Sequence, residues 1–435
     1  MIASLWPAAY RAAWLAALPP IRLLIALDRL AREAAGRPLL PPAWRAAERL
    51  ASPGIPPAGG NPLWMHCASL GEAKGMWALA ESLPPDFPLL LTATTPAGIA
   101  YLEDRCAGSP HGTFRRASPA PFDHPSVACA FLDRQGVRGL LLYEAELWPH
   151  WIGECLRLGL PVALAAGLLT ERGLRTYRKF GEASARLLAS LAWIQAQSPA
   201  DARRFAAMAD VPITVGFDFK AAHYLARGPA RTGPQPYRAR YAFVSLHLAE
   251  LRILLPGLPA LAARGPITVF PRHPAQIPGF LALLSPLGFA LFSLEPDARL
   301  SLVDSFGHVQ AILPGCHTAF VGGSLIDEGC HNLWEPLAAG VSIRFGPSYR
   351  LQEALSTALL EKGLARIVAD PAVLAEEPLP GPGTPELCAA FAERLRGSLE
   401  TALEECGKGI IATFQGQDPV PRETAPERAS EGTAR

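Results

Sequence analysis

Three glutamates stand directly after runs that read as buried strands, where a carboxylate can move a proton. Glu72 follows the apolar run 63–67, and Glu144 and Glu146 follow the run 139–143. A carboxylate in such a place can take a proton from an attacking hydroxyl, and a close pair can orient a base or bind sugar hydroxyls. Each also has a plainer interpretation, because a glutamate at a helix start is stabilised by the helix dipole or caps the helix.

Charged residues hold the corresponding places in the second half of the chain. Arg272 and His273 follow the run 267–270. The guanidinium fork there would pair with phosphate oxygens, unless the segment is only a surface turn. Residues 245–247, with Glu250 one turn further on, repeat the same strand-to-helix arrangement.

A glycine turn in the second half predicts a nucleotide-sugar site. A strand-like run leads into Gly322, Gly323 and Ser324, whose backbone N–H groups can approach a ligand closely. Asn332 would cap a short helix, and Glu335 near its start could accept hydrogen bonds from a ribose diol. Such turns also occur in ordinary α/β proteins, so the pattern alone leaves both interpretations open.

Length and composition exclude several classes of protein. A chain of 435 residues is long enough for two domains. Lys and Arg number 40 and Asp and Glu 39, so no positive surplus favours nucleic acid. The eight cysteines form no C-x-x-C pair, which predicts reduced core thiols and no zinc site. The histidines also lack metal-ligand spacing, so we expect neither a metal nor a cofactor.

Short apolar runs alternate with helical patterns from Leu63 onward, which predicts an α/β fold with parallel sheets. The runs are 63–67, 87–93, 139–144, 161–166, 192–196 and 212–216, then 241–245, 267–270, 289–293, 318–322, 341–345 and 365–368. Residues 221–239 look like a linker. Two Rossmann-like domains, 57–222 and 237–410, would place a cleft at the carboxyl ends of both sheets. A polar tail, 415–435, is expected to be disordered.

Residues 1–36 are apolar with scattered arginines. Charges and Pro19-Pro20 interrupt them, so no run reaches the roughly 20 residues of a spanning helix. Aromatic residues beside arginines suit the lipid headgroup layer, namely Trp6, Tyr10 and Trp14 with Arg11, Arg22 and Arg29. The segment is predicted to be a helical anchor on a membrane surface, and removal of residues 1–30 should release the protein from membranes. The alternative is a helix that packs on the protein itself.

These pieces together resemble one family, the Kdo (3-deoxy-D-manno-octulosonic acid) transferases, which have the two-domain GT-B glycosyltransferase fold. The matching motifs run in family order: HCASLGE (66–72), LTATTPAG (91–98), PFDHP (121–125), YEAELWP (143–149), IQAQSPADARRF (194–205), SLHLAE (245–250), FPRHP (270–274), AFVGGSLIDEGCHNLWEP (319–336) and FGP (345–347). The apolar N-terminus is also similar to the membrane-associating segment of that family.

The resemblance implies an inverting transfer of Kdo from CMP-Kdo to a hydroxyl of a lipid A precursor. This step of lipopolysaccharide synthesis would take place on the cytoplasmic face of the inner membrane. Glu72 would be the general base, with Ser69 and Gly71 beside it. Glu144 and Glu146 would line the site of the sugar and the acceptor.

The resemblance also implies that the second domain holds the donor. Arg272 and His273, with backbone N–H groups around Gly322–Ser324, would assist the departing CMP. Glu335 would hold the ribose, and Asn332 would steady the loop. No metal or cofactor is implied.

Several positions depart from the family pattern. The threonine between the two glutamates is Ala145, an arginine after the next strand is Leu168, a glutamate-bearing stretch reads His308, and a late asparagine is Leu351. These positions suggest two alternatives: a transferase of the same family with another donor or acceptor, or a catalytically silent paralogue that binds lipid or protein. Retention of the base, the arginine and the ribose-binding glutamate argues against the silent paralogue.

Overall fold

The computed structural model describes residues 2–35, 38–50, 60–110, 114–226, 240–305, 307–368 and 384–416. The chain divides into two compact units, one formed by residues 1–219 with 403–435 and the other by residues 220–402. The predicted α/β class is confirmed, since parallel sheets and helices build both units. The second unit ends before the predicted boundary at residue 410, because the end of the last helix packs with the first unit.

The first unit is an alternating series of strands and helices. Its described strands are β1 (Leu63–Cys67), β2 (Leu89–Ala93), β3 (Arg115–Pro119), β4 (Gly139–Tyr143), β5 (Val162–Gly167), β6 (Ile194–Ala196) and β7 (Ile213–Val215). Its described helices are α1 (Ile2–Ala35), α2 (Leu70–Glu81), α3 (Pro96–Gly108), α4 (Pro125–Gln135), α5 (Pro149–Arg157), α6 (Glu171–Lys179), α7 (Glu182–Ala189) and α8 (Pro199–Ala206).

The second unit repeats this alternation. Its described strands are β8 (Tyr241–Leu246), β9 (Ile267–Pro271), β10 (Ala290–Leu291), β11 (Leu300–Leu302), β12 (Thr318–Val321), β13 (Ser342–Phe345) and β14 (Ala365–Ile367). Its described helices are α9 (Ala221–Leu225), α10 (Leu248–Leu254), α11 (Leu258–Arg264), α12 (Ile277–Leu284), α13 (Val309–Ile312), α14 (Trp334–Ala338), α15 (Glu353–Glu361) and the start of α16 (Thr384–Phe414).

Both sheets reverse their strand order at one point. Among the described strands, the first sheet has the order β3-β2-β1-β4-β5-β6-β7 and the second has β10-β11-β9-β8-β12-β13-β14. Neighbours are parallel throughout, with His66 opposite Leu142 and Val244 opposite Val321 at the two reversals. Ligands of open parallel sheets bind outside the carboxyl ends of the strands at such a reversal. The fold therefore places one candidate site after β1 and β4 and another after β8 and β12.

Two predicted segments differ in the structure. The expected linker 221–239 begins with helix α9, and residues 227–239 lie outside the described residues. The expected tail from residue 415 also lies outside them from residue 417 onward, so its disorder stays a prediction. All eight cysteines are free and seven are buried, as expected for core thiols.

Helix α1 combines a face that packs on the protein with an exposed apolar face. The helix is continuous through Pro19-Pro20. By length and composition, residues Ala8–Glu33 are long and apolar enough to cross a membrane, which corrects the expectation that no segment here reaches the length of a spanning helix. Tyr10 Oη donates a 2.7 Å hydrogen bond to Asp123 Oδ2, and Trp14 lies against Phe122. The placement of these two aromatic side chains in the headgroup layer is therefore wrong. Exposed leucines cover the other face: Leu15, Leu23, Leu24, Leu27 and Leu30.

Candidate active site

The reversal of the first sheet brings the three predicted glutamates together. Glu72 lies in the first turn of α2 after β1, and Glu144 and Glu146 follow the adjacent strand β4. The negative charges of all three affect the pKa of the same buried thiol, Cys67 at the end of β1. Burial raises the pKa of Cys67 well above its ordinary value, and the nearby negative charges of Glu72, Glu146 and Glu144 raise it further. The three carboxylates thus lie near one another within one unit.

Glu72 is held in a capping arrangement. Its Oε2 accepts a 2.8 Å hydrogen bond from the Ala68 N–H, and its Oε1 accepts a 2.7 Å bond from the Ser69 hydroxyl. Ser69 Oγ in turn accepts from the Glu72 N–H at 3.3 Å and caps α2. The helix-capping interpretation of Glu72 is therefore correct. It is compatible with the interpretation that Glu72 takes a proton from an attacking hydroxyl. A carboxylate offers about four lone-pair positions, so two donors leave room for a substrate proton.

Glu144 and Glu146 are positioned by different means. Glu144 has φ of 60°, a left-handed conformation that costs a non-glycine residue about 1–3 kcal/mol and recurs at functional sites. Gln197 Nε2 lies 3.5 Å from its Oε1. Glu146 Oε2 accepts a 2.9 Å hydrogen bond from Trp148 Nε1. Burial, with the charge of Glu146, raises the pKa of Tyr177 to about 12.

The glycine turn after β12 is occupied by a carboxylate of its own unit. Glu250 is fully buried, and its Oε2 accepts a 2.7 Å bond from the Gly323 N–H. Its Oε1 accepts from the N–H groups of Ser324 and Leu325, each at 2.9 Å. The expectation that backbone N–H groups around Gly322–Ser324 assist the departing CMP is therefore wrong for the Gly323 and Ser324 groups. These donors are already satisfied inside the protein.

Gly322 is fixed by close backbone packing instead. Its N–H donates a 2.9 Å bond to the Val244 carbonyl, and a Cβ built on it would lie 2.3 Å from the Ser245 carbonyl oxygen. This glycine lets the ends of β12 and β8 approach each other.

Replacing Gly322 with alanine should destabilise the second unit by about 3 kcal/mol or more, because a backbone atom blocks the new methyl group. Thermal unfolding of the purified variant measures this loss. Gly315→Ala is the matched control, since a Cβ there meets nothing within 4 Å. Equal melting temperatures for the two variants would show that the close packing is unimportant.

Histidines and an arginine gather in the segments that follow β8, β9 and β12. His247 Nε2 and His331 Nε2 lie 2.7 Å apart, and the rings of His247 and His273 are 5.3 Å apart. Burial, helped by the positive charge of Arg272 and the two other histidines, lowers the pKa of His331 to about 3. Burial also lowers the pKa of His247. Exposed Arg272 thus supplies positive charge beside a largely neutral imidazole pair, which suits an anionic ligand.

The loop before α14 departs from the prediction at the cap. The N-cap of α14 is Leu333, which makes no side-chain cap bond, so the prediction that Asn332 caps this helix is wrong. Asn332 Oδ1 nevertheless accepts a 3.0 Å hydrogen bond from the Trp334 N–H, and Glu335 lies half-buried in the first turn of α14. Trp334 and Leu337 of this helix are buried. Within the described residues, no group of three or more His, Cys, Asp or Glu side chains could hold a metal ion.

The sequence did not indicate the roles of two motif residues, Glu250 and His66. Glu250 belongs to the SLHLAE motif, but nothing in the sequence indicated that its carboxylate accepts hydrogen bonds from the glycine turn 73 residues away. His66, also in a motif, is fully buried beneath Glu146. Because its neighbours in the run 63–67 are apolar, the sequence indicated only an ordinary strand residue at this position.

Solved structures share this two-unit fold. A glycosyltransferase from Rickettsia africae matches 82% of this chain and 100% of its own, with a TM-score of 0.53 and 11% identity. UDP-GlcNAc 2-epimerase from Neisseria meningitidis matches 81% of this chain and 99% of its own, with a TM-score of 0.51 and 11% identity. Such low identities establish only the fold, and that fold is GT-B, with two Rossmann-like units.

Sequence comparisons add a family model and named relatives. Residues 44–222 match the family model described as 3-deoxy-D-manno-octulosonic-acid transferase. The protein of that name from Bordetella pertussis is 29% identical over 68% of this chain and 74% of its own. The one from Haemophilus influenzae is 26% identical over 65% of this chain and 69% of its own. The predicted resemblance is confirmed: this chain is a glycosyltransferase related to the Kdo transferases.

Proposed function

We propose that the protein transfers Kdo from CMP-Kdo to a hydroxyl of a lipid A precursor in lipopolysaccharide synthesis. The observation that carries the proposal is the family match over residues 44–222, which contains all three clustered glutamates. Relatives named Kdo transferase extend the likeness over about two thirds of the chain, with 68% covered in the Bordetella protein.

Glu72 is the proposed general base. Its two capping hydrogen bonds fix the carboxylate at the carboxyl end of β1, where it can take the proton of the attacking hydroxyl. Glu144 and Glu146 lie beside it and can bind hydroxyls of the sugar or acceptor. Ser69 and Gly71 complete the turn that carries the base. A single displacement assisted by one base inverts the configuration at the anomeric carbon.

Arg272 is the proposed partner of the negative charges of the donor. CMP-Kdo carries a phosphate and a carboxylate, and Arg272 is an exposed cation beside the histidine pair. His273 lies next to that pair and can add a donor. Glu335, at the start of α14, is the proposed acceptor for the ribose hydroxyls, with Asn332 holding the loop before it. In this proposal, these side chains stabilise the departing CMP in place of the backbone N–H groups of the glycine turn.

A second candidate is a transferase of the same family with another donor or acceptor. Leu168 replaces a positive charge of the family pattern at the end of β5, and Ala145 stands between the clustered glutamates. His308 contacts Ser305 Oγ at 2.9 Å, and the Leu351 N–H bonds to the Gly329 carbonyl at 3.0 Å. None of these replacements restores the lost charge.

A donor screen separates the two candidates. The full chain is incubated with a lipid A precursor and, in parallel, with CMP-Kdo generated in situ, CMP-sialic acid, UDP-glucose or UDP-GlcNAc. A lipid product formed only with CMP-Kdo supports Kdo transfer. A product formed with another donor, and none with CMP-Kdo, supports the second candidate.

We also propose that α1 lies on the cytoplasmic face of the inner membrane through its exposed leucines. The opposite face packs on the protein through Tyr10, Trp14 and buried Leu18, so the leucines are left for the lipid. Arginines on the same helix suit the headgroup layer.

Replacing Leu23, Leu27 and Leu30 together with serine should reduce binding to vesicles by at least about tenfold, because three apolar side chains no longer enter the lipid. Flotation with vesicles of phosphatidylethanolamine and phosphatidylglycerol measures the bound fraction. Leu294→Ser is the control, since Leu294 is an exposed leucine outside α1. Unchanged flotation of the triple variant would contradict the anchor.

A further inference from the structure

His66 is a buried histidine with one unsatisfied nitrogen that faces the carboxylate cluster. It is fully buried on β1, and its Nε2 has no hydrogen-bond partner among the described residues. That atom lies 3.8 Å from Glu146 Oε2. A buried polar atom left without a partner is costly, so its position calls for a functional explanation.

The partners of the other ring nitrogen determine which tautomer is present. Trp64 Nε1–H donates a 2.8 Å hydrogen bond to Thr92 Oγ1, which leaves the threonine proton for another acceptor. His66 Nδ1 lies 2.9 Å from Thr92 Oγ1, whereas the Met65 carbonyl is 3.5 Å away. The shorter contact favours donation from Thr92 to His66 Nδ1. The neutral ring then carries its proton on Nε2.

The carboxylate favours the same tautomer. Glu146 Oε2 is an acceptor, so an unprotonated Nε2 facing it would place two lone pairs opposite each other. The edge-on contact of His66 with Trp151, at 4.7 Å between ring centres, fixes the orientation of the ring. Both observations direct an N–H group toward Glu146.

We propose that His66 is a positioning residue for Glu146 and, with Trp148, fixes the carboxylate that binds a substrate hydroxyl. This rests on the proposed function, in which Glu146 contacts the sugar or the acceptor. Trp148 already donates to Oε2 at 2.9 Å, and a small rotation of the carboxylate brings His66 Nε2 within hydrogen-bond distance. Such bonds are often long before substrate binds. Oε1 then remains for the substrate.

The tautomer is testable without any activity. Nitrogen NMR of the full chain labelled in its histidines, with His66 assigned from the His66→Gln spectrum, reports which nitrogen holds the proton. We expect the Nε2–H form and a shift of that nitrogen in Glu146→Gln. An Nδ1–H form, or a His66 signal unchanged in Glu146→Gln, would overturn the proposal. Because this test needs no substrate, it shows whether His66 donates to Glu146 even if the chain fails to transfer Kdo.

A matched pair of variants tests the positioning role in an active enzyme. His66→Gln keeps an N–H donor near the Nε2 position, whereas His66→Met has similar size and no donor. We expect His66→Met to lower kcat/KM about tenfold, as for one lost hydrogen bond to a charged group, and His66→Gln to retain most of it. Melting temperatures within a few degrees of each other show that both variants fold. Equal losses of kcat/KM in the two would overturn the proposal.

Discussion

Replacing Glu72 with alanine should reduce kcat for Kdo transfer by about 10³-fold, the range expected when a general base is removed. The variant keeps the other two glutamates and the donor-binding unit, so KM for CMP-Kdo should change little. Radiolabelled Kdo incorporated into lipid, followed over time at saturating donor, measures the rate.

Ser69→Ala is the control for the capping role of Glu72. It removes the hydroxyl that donates to Glu72 Oε1 and caps α2, which should cost about 1 kcal/mol of stability. The carboxylate and its Ala68 bond remain, so activity should fall less than tenfold. If Ser69→Ala loses as much activity as Glu72→Ala, the effect of Glu72 is structural and the base assignment is wrong.

Replacing Glu250 with alanine should open the glycine turn of the second unit. Three turn N–H groups and that of His247 lose their acceptor, and each unsatisfied buried donor costs about 1–3 kcal/mol. We therefore expect a loss of at least about 4 kcal/mol in local stability. Hydrogen exchange of the peptide spanning residues 320–330, read by mass spectrometry, should be at least about 100-fold faster than in the wild type.

Glu361→Ala is the control for this variant. Glu361 is an exposed glutamate at the end of α15 in the same unit, and its replacement should leave the exchange of the turn unchanged. Wild-type protection of the turn in Glu250→Ala would contradict the role given to Glu250. The turn would then be held by backbone packing around Gly322 alone.

Apolar strands at the centre of each sheet could be predicted from the sequence, because both of their faces are buried. β1 was predicted at its observed bounds, Leu63–Cys67. Polar strands at the edge of a sheet could not be predicted in this way. β3 reads RRASP, and its Arg115 is buried because Nη2 bonds to the Ala80 carbonyl at the end of α2. A contact between distant segments thus makes a strand of a sequence that resembles a loop.

The positions of the site residues could also be predicted from the sequence, whereas their hydrogen-bond partners could not. Positions after strands indicated where Glu72, Glu144 and Arg272 would lie, because parallel strands share one edge for their carboxyl ends. The partners of the backbone N–H groups did not follow from position. Glu250 reaches the turn from another strand end, and only the folded structure reveals that contact. Tyr10 likewise bonds to Asp123, although its setting suited a lipid surface.

The most direct test of Kdo transfer is the mass of the lipid product formed by the full chain from CMP-Kdo, generated in situ, and a lipid A precursor. We expect a lipid heavier by one or more Kdo residues, formed by the wild type and lost in Glu72→Ala. Unmodified lipid from folded wild-type protein, under conditions in which the Haemophilus influenzae relative yields product, would contradict it.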